Sequence, residues 1–385
     1  MFKIKTQNKI TKLGLDIFDK NKYVIADFGA DPDAIIVRSA SMHDYEMNPE
    51  LKAIARAGAG VNNIPVDKCA ESGIVVFNSP GANATAVKEL TVAALLLASR
   101  DIYGAIYWAK KLRTDIEKEV EAGKSKFAGP ELAGKTLGII GVGNTGSLTA
   151  NAGIALGMDV IGTDPYMTIE TALSLSRTVK ITKERDVIIE KSDYIVLHAT
   201  FTPETKHMIN ADTIAKMKKG VRIINMSRAD LVDDDAMTAA LESGKVAKYV
   251  TDFPNAKVLA MKNVVPIPHL AASTPESEDK CAVMAVNQII DYLENGNIKN
   301  SVNYPELVME RTGEIRICVM HRNVKGVIAT VSSDLSEFGV NIESMSNRSK
   351  GDYAYSIFDI SGALPEGFAD KISGVPDVIR VNVIK

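Results

Sequence analysis

The stretch GIIGVGNTG, residues 138 to 146, constrains the fold more than any other part of the chain. An apolar run, LGII, leads straight into Gly141, Gly143 and Gly146, and a helical pattern follows. A strand that turns through glycine into a helix leaves backbone N–H groups aimed at one point, where a pyrophosphate can be held. Asp164 closes the next strand-like run, MDVIGTD, where a carboxylate can accept hydrogen bonds from both hydroxyls of an adenosine ribose. Pro165 and Tyr166 follow, and the next arginine is Arg177, so a 2′-phosphate has no evident partner and NAD is expected over NADP. The competing reading is a glycine turn that only packs a helix tightly on a sheet.

Roughly a third of the chain precedes this loop, which leaves room for a further unit before it. The runs KTLGIIG, MDVIGTD, YIVLHA, VRIINMS and AKYVTDF predict a doubly wound parallel sheet. Upstream, AIIVRS and GIVVFN read as strands with the helical pattern PELKAIARAG between them, a second parallel α/β unit. Residues 86–112 read as one long helix, apolar on most faces. After NVVPIPHL, Thr274 is an N-cap candidate and Pro275 a first helical residue, with apolar positions at Ala282, Val286, Ile289, Ile290 and Leu293 and a stop at Gly296. This helix is expected to return to the first unit, and the polar stretch Ile298 to Thr312 to act as a linker.

From Gly313 the order changes to EIRICVM, GVIATVSSDLSEF, VNIESMSN, a turn at Gly351-Asp352, YAYSIFDIS, PEGFADKIS and VIRVNVIK, a βαββαβ pattern of ferredoxin-like type. The expected fold class is α/β, with two Rossmann- or flavodoxin-like parallel-sheet domains and a C-terminal ferredoxin-like domain. The expected boundaries are 1–90 with 276–304, then 91–275, then 313–385.

Charge and cysteine content narrow the function classes. The chain has 45 basic and 48 acidic side chains and a net charge of -3, which gives no basic surface for nucleic acid and favours a small-molecule partner. Cys69, Cys281 and Cys318 are too far apart in sequence for a CxxC pair, so neither a metal site nor a disulfide framework is expected and a reducing cytoplasm fits. MFKIKTQNKI lacks the apolar core of a signal peptide, and the most continuous apolar run, Val92 to Ala98, is well short of the ~20 residues a membrane span needs.

Four further places can carry chemistry. His269, in IPHLAAST, follows a predicted strand; spacing alone leaves it open between a structural and a catalytic histidine. Arg228, in INMSRAD, ends another predicted strand, where ligands collect in such sheets and surface arginines are also common. RAGAGVNN, from Arg56 to Asn63, can form a nest of N–H groups for a carboxylate or be a plain turn. Arg38 closes AIIVR as a cation suited to carboxylate or phosphate, or as a solvated strand end.

Taken in order, VRSA, RAGAGVNNI, NSPGANATAVKEL, GIIGVGNTG with Asp164, NMSRADLVDDDAM, PHLAASTPES and NSVNYP resemble the D-2-hydroxyacid dehydrogenase family, in the form that carries a C-terminal ACT domain. The resemblance covers essentially the whole chain. It implies that the first 90 residues hold the acid, that the chain leaves to build the nucleotide domain and then returns, and that the glycine loop therefore falls mid-chain. By the same resemblance His269 is the general base for the C2 hydroxyl, and Arg228 binds the carboxylate opposite the amides of Ala59 and Gly60. Arg38 and Arg56 would hold a distal phosphate, Asn144 and Thr145 the pyrophosphate, Asp164 the ribose and Asp252 the nicotinamide carboxamide. Pro165, Ala199, Met226, Ala271 and Ala272 would line the rest of the NAD site.

The activity this implies is NAD-dependent oxidation of D-3-phosphoglycerate to 3-phosphohydroxypyruvate, at the start of L-serine synthesis. Another 2-hydroxy acid such as glycerate or lactate, or an NAD-binding regulator without turnover, are the alternatives. In the C-terminal module HRNVKG resembles the effector loop of serine-binding ACT domains, which implies His321, Asn323 and Asn341 as L-serine ligands, with Lys325 in place of the usual proline. A domain that only pairs subunits is the other possibility, and the family suggests a homodimer or homotetramer.

The chain departs from the family at one chemically important point. A glutamate normally hydrogen-bonds the catalytic histidine, and TDFPNAKV has Asn255, Ala256 and Lys257 around its place. A carboxylate behind an imidazole fixes its tautomer and favours its protonated form. Its loss predicts a bias toward oxidation, in which a neutral imidazole suffices as base, unless Asn255 or Glu276 orients the ring. Milder departures are Asn62 for aspartate, Ala229 and Ala271 for glycine, and Thr200 for proline.

Overall fold

The computed structural model describes every residue except Ala30 and Pro365. The chain forms two compact units, Met1–Asn83 with Pro275–Lys385, and Ala84–Thr274.

In the first unit, β1 (Phe2–Gln7), β2 (Tyr23–Ile25), β3 (Ala34–Val37), β4 (Ala53–Arg56) and β5 (Val75–Phe77) make a parallel sheet of order β2-β1-β3-β4-β5. Strand β4 falls inside PELKAIARAG, which was expected to be helical. Its Ala53, Ile54 and Ala55 are fully buried on both faces between β3 and β5, so the run has no alternation to read. The helix Pro275–Asn295 does return to this unit and puts Ala282, Val286, Ile289 and Leu293 into one core with Ile4, Ile36 and Ala55.

The stretch expected as a polar linker is partly an edge of the same sheet. Asn303 accepts from Val76 N at 2.9 Å and donates to Ile74 O at 2.8 Å, and buried Tyr304 donates to Ala70 O at 2.7 Å.

The second unit holds seven parallel strands: β6 (Thr136–Ile140), β7 (Asp159–Thr163), β8 (Lys180–Ile181), β9 (Tyr194–Leu197), β10 (Val221–Asn225), β11 (Val246–Thr251) and β12 (Val264–Pro266). Their order is β12-β11-β10-β9-β6-β7-β8, so successive strands run outward in opposite directions from β6. The crevice at the carboxyl ends of β6 and β9 is where such a sheet takes a ligand.

The single long helix expected over 86–112 is instead two, Ala84–Ser99 and Ile102–Ala109, bent by 72°. Two side chains account for the break. Ser99 Oγ donates back to Leu95 O at 2.8 Å, and the Asp101 carboxylate accepts from Gly104 N to cap a new helix start. The first helix buries Ala94, Leu95 and Ala98, whereas the second buries nothing. Among the described residues no single helix is long and apolar enough to cross a membrane.

The chain ends in β13 (Ile315–Arg322), β14 (Asn341–Lys350), β15 (Tyr353–Ser361) and β16 (Val378–Ile384), antiparallel in the order β14-β15-β13-β16, with helices Val327–Glu337 and Phe368–Ser373. This is the expected βαββαβ order; the second helix starts at Phe368, and Pro365 of PEGFADKIS lies outside the described residues. One face of the sheet packs Ile317, Val319, Phe358 and Ile360 on the two helices, while Cys318, Met320, Tyr355 and Ile357 join the core of Pro275–Asn295.

A wholly buried ion pair sits on the second face. Arg316 Nε and Nη2 reach Asp359 Oδ1 and Oδ2 at 2.7 and 2.8 Å, and Nη1 donates to Asn295 O at 2.7 Å and Met309 O at 2.9 Å. Burial pushes the Asp359 carboxyl pKa up, but the guanidinium and Thr312 N–H more than offset it and hold it below its usual range.

Candidate active site

The three glycines of the loop occupy three different environments. Gly141 has φ +95°, and a Cβ there would lie 2.6 Å from Ala199 N, so the turn closes against the end of β9. A Cβ on Gly146 would run into Gly141 O, which keeps the helix Asn144–Ala155 close to the loop. A Cβ on Gly143 would meet nothing within 4 Å. Open space at the middle glycine is where a pyrophosphate can approach the backbone. No side chain caps the helix, so the first-turn N–H groups at Asn144 and Thr145 lack acceptors within it. The loop fits a dinucleotide.

The other candidates of this unit lie just beyond the carboxyl ends of neighbouring strands of one sheet. Asp164 follows β7, half-buried, and one carboxylate oxygen accepts from Tyr166 N at 2.8 Å. Pro165 after it is exposed. Ala199 follows β9 and is tied to the end of β10 through Ser227 Oγ, which donates to Ala199 O at 2.5 Å. Met226 is buried beside that link.

Arg228 is set by Asn225, a fully buried residue that accepts from Ser227 N and donates to Arg228 O at 2.7 Å. Its guanidinium donates to Ser227 O at 2.6 Å and forms no ion pair among the described residues, and partial burial lowers its pKa. It is a cation short of a counter-charge. His198, a residue the sequence did not single out, bonds Thr149 Oγ1 at 2.9 Å behind the glycine loop, and burial pushes its imidazole pKa down to about 4.

His269 stands after β12 with φ +53°, an uncommon backbone for a residue with a side chain. Its ring lies 5.0 Å from that of Phe253 and has no hydrogen-bond partner within its unit among the described residues. Asn255 does not orient it, contrary to one expectation. Asn255 caps the helix Ala256–Ala260 by accepting from Val258 N and donates to Asp234 Oδ2 at 2.8 Å. Glu276 belongs to the other unit, exposed in the first turn of Pro275–Asn295.

Asp252, expected on the carboxamide, has both carboxylate oxygens engaged, with Leu270 N at 2.8 Å and Ala271 N at 2.9 Å. Burial pushes its carboxyl pKa up, and these amides work against that. Ala271 is buried and Ala272 half-buried just beyond.

In the first unit the candidates also gather at carboxyl strand ends. Arg38 follows β3, and Arg56 ends β4 and donates from Nε to Arg38 O at 3.1 Å. The amides of Ala59 and Gly60 have no acceptor among the described residues, and Asn78 Nδ2 holds the loop by donating to Ala59 O at 2.6 Å. Arg38 Nη2 is 2.7 Å from Glu278 Oε1 on the return helix, a partner that no local sequence pattern links to it.

The C-terminal sheet carries the three residues expected as effector ligands. His321 is buried, with Nδ1 against Arg322 O at 2.8 Å and Nε2 against Ser356 Oγ at 3.0 Å, so both ring nitrogens are committed to the sheet interior. Asn323 donates to Gly351 O and Asn341 to Glu343 Oε1. The ring cannot serve an effector without breaking those bonds.

Residues 92–271 match the family model described as D-isomer specific 2-hydroxyacid dehydrogenase, NAD binding domain. The D-3-phosphoglycerate dehydrogenase of Methanocaldococcus jannaschii is 35% identical over 295 residues, 74% of this chain and 54% of that protein, so the chain spans little more than half of that relative. The hydroxypyruvate reductase of Thermotoga maritima is 38% identical over 273 residues, 68% of this chain and 85% of that protein. Among solved structures, the NAD+-bound 3-phosphoglycerate dehydrogenase of Entamoeba histolytica aligns with a TM-score of 0.62 at 26% identity, covering 78% of this chain and 98% of that one. The chain belongs to the D-isomer specific 2-hydroxyacid dehydrogenase family, and its seven-stranded sheet is the NAD-binding domain of that family.

Proposed function

We propose that the protein oxidises D-3-phosphoglycerate to 3-phosphohydroxypyruvate with NAD, the first step of L-serine synthesis. The observation that carries this reading is that Arg228, a guanidinium without a counter-ion among the described residues, and His269, an imidazole without a hydrogen-bonded ring partner among those of its unit, stand at the carboxyl edge of the same sheet as the glycine loop. Gly141, Gly143, Asn144, Thr145, Gly146 and Asp164 hold the cofactor, with Pro165, Ala199, Met226, Ala271 and Ala272 around it. NAD, when bound, supplies the acceptor for the hydride that leaves C2.

His269 takes the C2 hydroxyl proton as the carbonyl forms, and Arg228 neutralises the carboxylate and polarises the C2 oxygen. The amides of Ala59 and Gly60, without an acceptor among the described residues, are suited to a substrate carboxylate. Arg38 and Arg56 hold the distal phosphate. With no carboxylate of its own unit bonded to the ring among the described residues, the protein favours oxidation.

A second reading has support of its own. Arg38 already carries an anion, Glu278, and the Thermotoga maritima relative is a hydroxypyruvate reductase, so a non-phosphorylated acid such as glycerate is the alternative substrate. NADH formation with D-3-phosphoglycerate and with D-glycerate, from pH 6 to 10, decides between them. Binding of NAD without turnover on either acid, or on D-lactate, overturns the enzyme reading in favour of a regulator. A reduction rate that stays high and flat above pH 8 overturns the oxidative bias.

The same assay with L-serine tests an ACT-type effector role for the four-stranded sheet, in which binding through His321 requires its ring to release Arg322 O and Ser356 Oγ. Exposed Tyr103, Ile106 and Tyr107 on one short helix support self-association as a homodimer or homotetramer.

A further inference from the structure

Three consecutive backbone N–H groups of the histidine segment end on one residue. His269 N donates to Asp252 O at 3.0 Å, sharing its proton with Ile267 O, Leu270 N donates to Asp252 Oδ1 at 2.8 Å, and Ala271 N to Asp252 Oδ2 at 2.9 Å. The segment needs such a hold. At φ +53° the Cβ of His269 is crowded by its own backbone, so the direction in which the imidazole points depends on a turn imposed from outside. Among the described residues of the unit nothing grips the ring itself by hydrogen bond: the usual glutamate is missing, and Asn255 is committed to a helix cap and Asp234. The ring's aromatic neighbour Phe253, at 5.0 Å, is the residue after Asp252. Backbone clamp and ring contact thus come from two adjacent residues at the end of β11.

We infer that Asp252 is a positioning residue that aims the His269 imidazole by clamping the amides on either side of it, replacing through the backbone what a carboxylate behind the ring would do directly. The inference rests on the reading of His269 as the base. It gives the buried carboxylate a task distinct from a contact with the nicotinamide. It also requires a carboxylate and not merely a polar group. Asparagine at 252 offers a single acceptor oxygen and turns its NH2 toward the other amide, so one clamp is lost and two donors are opposed.

The test is Asp252→Asn in the full chain, with NAD affinity measured as a check on the fold. The expected result is a fall in kcat on the order of 10- to 100-fold, the loss that a misaimed catalytic group produces, with KM for acid and for NAD within about 3-fold of wild type. The His269 ring proton resonances, assigned with His269→Gln, are expected to shift or broaden while those of His43 and His207 stay in place. Asp252→Glu, which keeps both acceptors, is expected to recover part of kcat.

A rise in KM for NAD with kcat unchanged would overturn the inference in favour of a cofactor contact. Should Asp252→Asn not fold, amide hydrogen exchange in the wild-type protein takes its place: slow exchange at Leu270 and Ala271, comparable with β11, supports the clamp, and rapid exchange overturns it. Absence of turnover in the wild type would remove the His269 reading, while exchange and resonance data would still test the clamp.

Discussion

Glu278→Gln separates the two substrate readings. Glu278 occupies the cation that a distal phosphate would take, with Arg38 Nη2 2.7 Å from Oε1 and the two side chains 37% and 34% exposed. A pair of that exposure contributes ~0.2–1 kcal/mol, because water screens it and two long side chains must be ordered to make it. A phosphate that binds Arg38 must give up this amount first, so removing the carboxylate lowers KM for D-3-phosphoglycerate by about 1.4- to 5-fold. The gain is largest at low ionic strength and shrinks as salt shortens the reach of the anion's repulsion. D-glycerate has no distal phosphate, and its KM is expected to stay where it is.

Glutamine keeps the length and helix preference of glutamate, so the return helix is undisturbed. Initial rates of NADH formation with both acids, at low and high ionic strength, supply the comparison. An equal change for both acids, or a higher KM for the phosphorylated one, would refute the reasoning; the latter would make Glu278 a support that orients Arg38.

Two other expectations concern the nucleotide domain. The imidazole of His198 has its pKa held at about 4 by burial, so as pH falls the unfolded chain takes up a proton before the folded one does. Its contribution is complete above the ordinary histidine value of ~6.5 and is lost between there and about 4. With its residual exposure, the loss is on the order of 2 kcal/mol. Denaturant titrations at pH values across that interval are expected to show this slope in the wild type and a flatter one in His198→Gln; matching slopes would contradict it. In the loop, Gly143→Ala should fold normally and lose NAD affinity on the order of tenfold or more, while Gly146→Ala should lose stability by ~1–3 kcal/mol through the collision with Gly141 O. Thermal denaturation and NAD titration of both variants provide the check, and normal NAD binding by Gly143→Ala would remove the loop from the cofactor site.

The parts of the structure that were legible in the sequence are those whose cause is local. LGII followed by three spaced glycines announces a strand, a turn and a helix start within nine residues, and Thr274-Pro275 with Gly296 brackets a helix of 21 residues. Where the cause is distant, the sequence is silent or misleading. Strand β4 reads as helical because both of its faces are buried, one under the distant return helix and the other against Met42, Ile64 and Cys69. The break after Ser99 has a local cause that apolar periodicity still does not register, because it depends on where two short polar side chains turn. Of the site, His269 and Arg228 were visible as residues in motifs. Their supports, Asp252 bridging 18 or 19 positions to the amides it clamps, and Glu278 reaching Arg38 from the return helix, exist only through the tertiary fold.

The Arg316–Asp359 pair bears on how portable the C-terminal sheet is. Two of the guanidinium's acceptors, Asn295 O and Met309 O, lie outside the βαββαβ segment, at the end of the return helix and in the stretch that follows it. Cys318, Met320, Tyr355 and Ile357 likewise have their apolar partners outside it. A graft that moved residues 313–385 onto another host would expose that apolar face and strip a buried cation of half its company. A transferable cassette would have to begin no later than the last turn of the return helix, so the natural seam for recombination lies inside a helix and not at the apparent linker.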